Sequence, residues 1–81
     1  MDLTVSGTSP RLEFGWPRVA GAEEYVVVVL DDAGHAAWSW TGEATSVTPP
    51  PHAPMPSNGS ATVAAFDARR APLGLSDPVE F

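Results

Sequence analysis

Leu12-Glu13-Phe14-Gly15-Trp16, and after a break Tyr25-Val26-Val27-Val28-Val29-Leu30, are the stretches on which the fold turns. In the first, Leu12, Phe14 and Trp16 alternate with Glu13 and Gly15; in the second, Tyr25, Val27 and Val29 fall at every other position. A period of two is the mark of strands that turn one face to a core. The intervening residues 17–24 open with Pro17, which cannot donate to a ladder, and read as a connection between two strands. The pair predicts a β-sandwich module.

Outward from this centre, proline and glycine punctuate short strands at the spacing of an all-β sandwich. Leu3 to Ser6 is expected as a first edge strand and Gly7 to Pro10 as a turn. Leu12 to Trp16 and Tyr25 to Leu30 follow as the second and third strands. Asp31-Asp32-Ala33-Gly34 reads as a hairpin turn in which Gly34 supplies the positive φ of a type I turn plus bulge. Ala36 to Thr41 returns as the fourth strand, and Thr45 to Thr48 is a short fifth. Pro49-Pro50-Pro51 ends it by removing three consecutive donors. Residues 49–57 then form a stiff crossing loop, with Ala61 to Phe66 as the sixth strand and Asp77 to Phe81 as the seventh. The expectation is an all-β, seven-stranded antiparallel immunoglobulin-like two-sheet sandwich over residues 1–81, with almost no helix.

Composition limits what such a module can do. With 81 residues, the chain has room for one domain and none for a catalytic domain beside a binding one. It has no cysteine, so neither disulfides nor thiolate metal sites are available and the apolar core must hold the fold unaided. Ten acids against four arginines give a net charge of −6, which repels phosphate backbones and argues against nucleic acid. No apolar run approaches the roughly 20 residues of a membrane helix. Met1-Asp2-Leu3 lacks the basic-then-apolar pattern of a signal peptide, so the chain is read as intracellular or as a module of something longer.

In order and spacing, Trp16, the run Gly21-Ala22-Glu23-Glu24-Tyr25-Val26-Val27, the triplet Thr45-Ser46-Val47 and the pattern Val63-x-Ala65-x-Asp67 resemble the fibronectin type III domain, in the divergent form attached to bacterial envelope and secreted proteins. The resemblance covers nearly the whole chain. It implies an extracellular or periplasmic setting and a role as a non-catalytic module for protein interaction or spacing. Two departures qualify it. Met55, Asn58-Gly59 and Ala61 stand where the family has a leucine, a turn and a tyrosine, so the family's tyrosine corner cannot form, and Met55 is expected to plug the end of the core beneath a looser loop. The loop after the sixth strand, residues 67–74, lacks an Arg-Gly-Asp tripeptide, so adhesion of that kind is not carried over.

Chemical sites find little in the sequence. Asp31-Asp32 with His35 suggests a metal or an acid/base pair, but aspartate in a hairpin turn is ordinary turn chemistry. His52 stands alone among prolines. Glu23, Glu24, Asp31, Asp32 and Asp77 could offer oxygen ligands, yet no Asp-x-Asp-x-Asp-Gly calcium loop is present. No Gly-x-Ser-x-Gly elbow marks a serine nucleophile. Asn58-Gly59-Ser60 matches a glycosylation acceptor, but the composition is bacterial in character and a turn before a strand accounts for it. No catalytic residue, metal or cofactor is expected.

Recognition has a more definite lead. With Tyr25, Val27 and Val29 inward, Val26, Val28 and Leu30 point outward, where soluble sandwiches place polar residues. In the family's topology the sixth strand lies beside the third, adding Thr62, Ala64 and Phe66 to the same outer face. An apolar stripe of this kind marks a contact surface, for a protein partner, a neighbouring domain or weak self-association, and a partner strand added at a sheet edge is the other mode of engagement. An ordinary account stands beside it: β-branched residues suit a central strand. Trp38 and Trp40 face outward if Asp32 to Gly34 form a three-residue loop, and inward if the loop begins at Asp31; the polar Ser39 and Thr41 between and beside them favour the core-facing register, since burying an aromatic outweighs the difference between turn variants. Outward, they make a small carbohydrate-binding module stacking on sugar rings the alternative function. Arg69-Arg70, the basic pair of an acidic chain, is a candidate anchor for a carboxylate partner.

Overall fold

The computed structural model describes residues 1–9 and 11–81. The chain forms eight strands: β1 (Thr4–Thr8), β2 (Arg11–Gly15), β3 (Glu24–Asp31), β4 (Ala36–Gly42), β5 (Ser46–Val47), β6 (Gly59–Phe66), β7 (Pro72–Leu75) and β8 (Val79–Glu80). One antiparallel sheet has the order β1-β2-β5; the other has the order β4-β3-β6-β7, with β8 also on β6. No helix occurs among the described residues.

The alternation that predicted the fold is what closes it. Leu12, Phe14, Tyr25, Val27 and Val29 are all 1% exposed or less, and Ala61, Val63 and Ala65 of β6 meet them equally buried. Burial of side chains this size contributes about 1.5 to 3 kcal/mol each for the large ones. Trp16 lies just past β2, and its N–H donates to Thr45 C=O at 3.0 Å, so pairing between the second and fifth segments runs one residue beyond the strand. Its ring packs on Tyr25 with centroids 5.6 Å apart. Tyr25 Oη in turn accepts from Val19 N–H at 3.0 Å and ties the connection between β2 and β3 to the core. Met55 packs against the core, as expected. The crossing loop is held by Ser9 Oγ donating to Pro56 C=O at 2.7 Å.

Three expectations need correction. The strand count is eight, because Pro72–Leu75 is a strand that the sequence presents as loop. It is an edge strand with proline at its first position, where the missing donor costs nothing. The last strand is Val79–Glu80, within the expected residues 77–81. Between the two, Ser76 replaces the ladder: its N–H donates to Val63 C=O and its Oγ accepts from Val63 N–H, both at 2.9 Å. Gly7 and Thr8, read as turn, belong to β1 and pair with Leu12 and Arg11; Pro10, the end of that expected turn, lies outside the described residues.

At the β3–β4 hairpin both tryptophans face the core, as the polar Ser39 and Thr41 favour, but not through the loop expected to turn them inward. Asp31 N–H donates to His35 C=O at 2.8 Å and Gly34, at φ 84°, closes the turn on Asp31 C=O, so the loop is the three-residue one. That loop alone would turn the tryptophans outward. A bulge opposite Leu30 then shifts the register by one, pairing Val29 with Trp38 and Val27 with Trp40. Both indoles therefore share the inner face with Val27 and Val29.

Candidate functional site

β3 is the central strand from which the candidate surface is built. Its even-numbered residues, Val26, Val28 and Leu30, point away from the other sheet and are half-buried by their strand neighbours. Val26 pairs with Ala64, Val28 with Thr62 and Leu30 with Ser60, so β6 extends the surface sideways. Phe66 lies opposite Glu24 at one end. β7 then contributes a member that sequence reasoning missed. Leu75 pairs with Ala64 and is 68% exposed, the most exposed large apolar side chain among the described residues. Its signal was obscured because Pro72-Leu73-Gly74 reads as turn. Across β4 the face ends in Ser39 and Thr41, neutral and polar.

The structure thus brings together Val26, Val28, Leu30, Ala64 and Phe66 on one sheet face, and it separates them from the tryptophans. Trp38 stacks on Phe14 at 6.4 Å and 20°, and Trp40 tilts against Trp16 at 5.9 Å. Trp40 also lies across the backbone of Gly42, where an added Cβ would sit 2.5 Å from Cζ2. The two indoles wall the flank of the core beside β4.

Arg69 and Arg70 sit in the hairpin between β6 and β7. Asp67 Oδ1 accepts from the N–H groups of Arg69 and Ala71 at 2.8 and 2.9 Å. Asp31 caps the β3–β4 turn in the same way, accepting from Ala33 and His35 N–H at 3.0 and 2.9 Å. The residue three positions after each aspartate is left-handed: Gly34 in one loop, Arg70 at φ 63° in the other. Arg70 bends back so that Nη2 lies 3.2 Å from Glu24 Oε1, while Nη1 donates weakly to Oε2 at 3.4 Å. Oε1 is buried and gains no aligned hydrogen bond. Arg70 is therefore engaged within the molecule although it is exposed, and Arg69, equally exposed, has no ion-pair partner among the described residues.

The acid and histidine groups form no reactive cluster. Asp31 spends its Oδ1 on the turn, and its Oδ2 is 3.9 Å from His35 Nδ1 in an exposed setting. An open cleft between that turn and the C-terminal end is lined by Asp31, Asp32, Asn58, Ser60 and Glu80 among others, with no nucleophile and base brought together. No group of three histidine or acidic side chains among the described residues is placed to hold a metal ion. Compared with protein-family models, curated proteins and solved structures, the chain matches none.

Proposed function

We propose that this chain is a non-catalytic sandwich module of the immunoglobulin-like, fibronectin type III kind, needing no cofactor, which docks a protein partner or a neighbouring domain through the outer face of β3, β6 and β7. The sheet orders support the fold-family part of the reading, and β7 with β8, taken as one edge strand interrupted at Ser76, give the seven expected. The observation that carries the functional part is Leu75, 68% exposed and set beside Ala64 and Val26 on a face whose middle holds no charge. A monomer gains nothing by leaving such a row in water. The carbohydrate alternative has no comparable support, since Trp38 and Trp40 are engaged with Phe14 and Trp16.

A photo-crosslinking side chain at position 75, compared with one at Glu13 on the opposite sheet, tests the reading. The expected result is one defined protein adduct from position 75, lost on Val28→Lys and absent from position 13. Adducts of equal yield from both positions, or an adduct unaffected by Val28→Lys, would remove the docking face.

A further inference from the structure

The two sheets have four edges, β1 and β5 on one, β4 and the β7–β8 line on the other. A free edge offers unpaired N–H and C=O groups to any passing strand, and sheets blunt such edges with shortness, proline, charge or irregularity. β5 has only two residues. β1 leaves extended geometry at Gly7, φ 82°. The last edge begins with Pro72 and is broken at Ser76 and Pro78.

β4 is not blunted in any of these ways. Ala36-Ala37-Trp38-Ser39-Trp40-Thr41-Gly42 has seven residues, no proline and no charged side chain. Its bulge is confined to the start, and from Trp38 to Gly42 its register on β3 is regular. Alternate N–H and C=O groups of such a strand face away from β3, and no backbone bond takes them up among the described residues. We propose that β4 accepts an added strand from a protein partner: an extended segment with apolar residues at alternate positions and a basic residue at each end.

The chemistry of the occupant follows from what borders the edge. On the inner side, an incoming strand sets every second side chain next to the half-buried Trp38 and Trp40, which favours apolar residues there. On the outer side it meets Ser39 and Thr41. Before β4 stand Asp31, at the end of β3, and Asp32 in the turn, with His35 between them and the strand, and after β4 stands Glu43. A second copy is a poor occupant, because antiparallel self-pairing about Ser39 sets Glu43 of each copy opposite His35 of the other, with Asp31 and Asp32 of that turn close behind, so acids gather at both ends with one exposed imidazole between them. Basic termini turn the same geometry into attraction. This edge is a separate surface from the β3–β6–β7 face.

The test is titration of the isotope-labelled protein with the blocked heptapeptide Lys-Val-Thr-Val-Thr-Val-Lys and with its glutamate-ended counterpart. The expected result is at least tenfold slower amide exchange at alternate residues of Ala36–Gly42 with the lysine peptide, a change in tryptophan emission, and no protection by the glutamate peptide. The double variant Asp32→Asn, Glu43→Gln removes surface charge without touching the core and should weaken binding roughly tenfold. No binding up to millimolar peptide, equal protection by both peptides, or unchanged affinity in the double variant would overturn the proposal. So would β4 protection that grows with protein concentration alone. Shift changes confined to Val26, Val28, Ala64 and Leu75 would overturn it too, while leaving the docking face standing.

Discussion

Arg70 and Gly34 occupy the same place in two loops of like construction, and they differ in what the backbone asks of them. A left-handed residue with a Cβ costs roughly 1 kcal/mol more than glycine, whereas an exposed ion pair such as that to Glu24 contributes about 0 to 1 kcal/mol. Arg70→Gly is therefore expected to leave stability unchanged or raise it slightly, and Gly34→Ala to lower it by about 1 kcal/mol, both read by urea denaturation. Ser76 is the opposite case. Its Oγ is the acceptor for the buried Val63 N–H, so Ser76→Ala strands a donor and should cost about 1 to 3 kcal/mol. Ser76→Thr, which keeps the hydroxyl, should recover part of that loss. Neither role was legible in the sequence: a lone serine before Asp77-Pro78 looks like loop, and Arg70 carries no turn signal. Asp31 and Gly34 were legible because aspartate and glycine announce their turn chemistry directly.

At the level of elements, the two central strands were readable because Tyr25–Leu30 and residues 61–66 are short, almost wholly apolar runs bounded by turn residues, as buried strands are. The register of β4 was not, because loop length and bulge are independent choices and each flips every side chain that follows. Trp38 and Trp40 decide the matter by burial: stacking on Phe14 and Trp16 favours the bulged register over the straight one. Gly42 is the place to test this. Gly42→Ala pushes a methyl into the Trp40 ring and should cost about 1 to 3 kcal/mol, with a near-ultraviolet dichroism change that Gly15→Ala, which meets nothing within 4 Å, does not produce. β7 was missed for the converse reason. Its place in the sheet comes from the neighbour β6 rather than from any propensity of Pro72-Leu73-Gly74-Leu75.

For the molecule as a whole, size and charge set the terms. A domain of this length has a net stability of about 4 to 12 kcal/mol, and Phe14, fully buried between the sheets, anchors a large part of it. Phe14→Ala, at about 3 to 5 kcal/mol, should leave a population visibly unfolded by one-dimensional NMR at 37 °C. Ten acids on a chain with four basic residues repel one another, so the melting temperature should rise between 20 and about 500 mM sodium chloride. A flat or falling trend would mean that local pairs such as Arg70 with Glu24 outweigh the global repulsion. The interruption at Ser76 has a mechanical side. Because Val79–Glu80 pairs with β6 at Ser60 and Ala61, and Phe81 N–H adds one bond to Gly59 C=O, tension applied at Phe81 unzips that short piece first and is then checked at the paired bonds of Ser76 and Val63. A load from the C-terminal direction thus meets a built-in stop before it can reach the sealed interior.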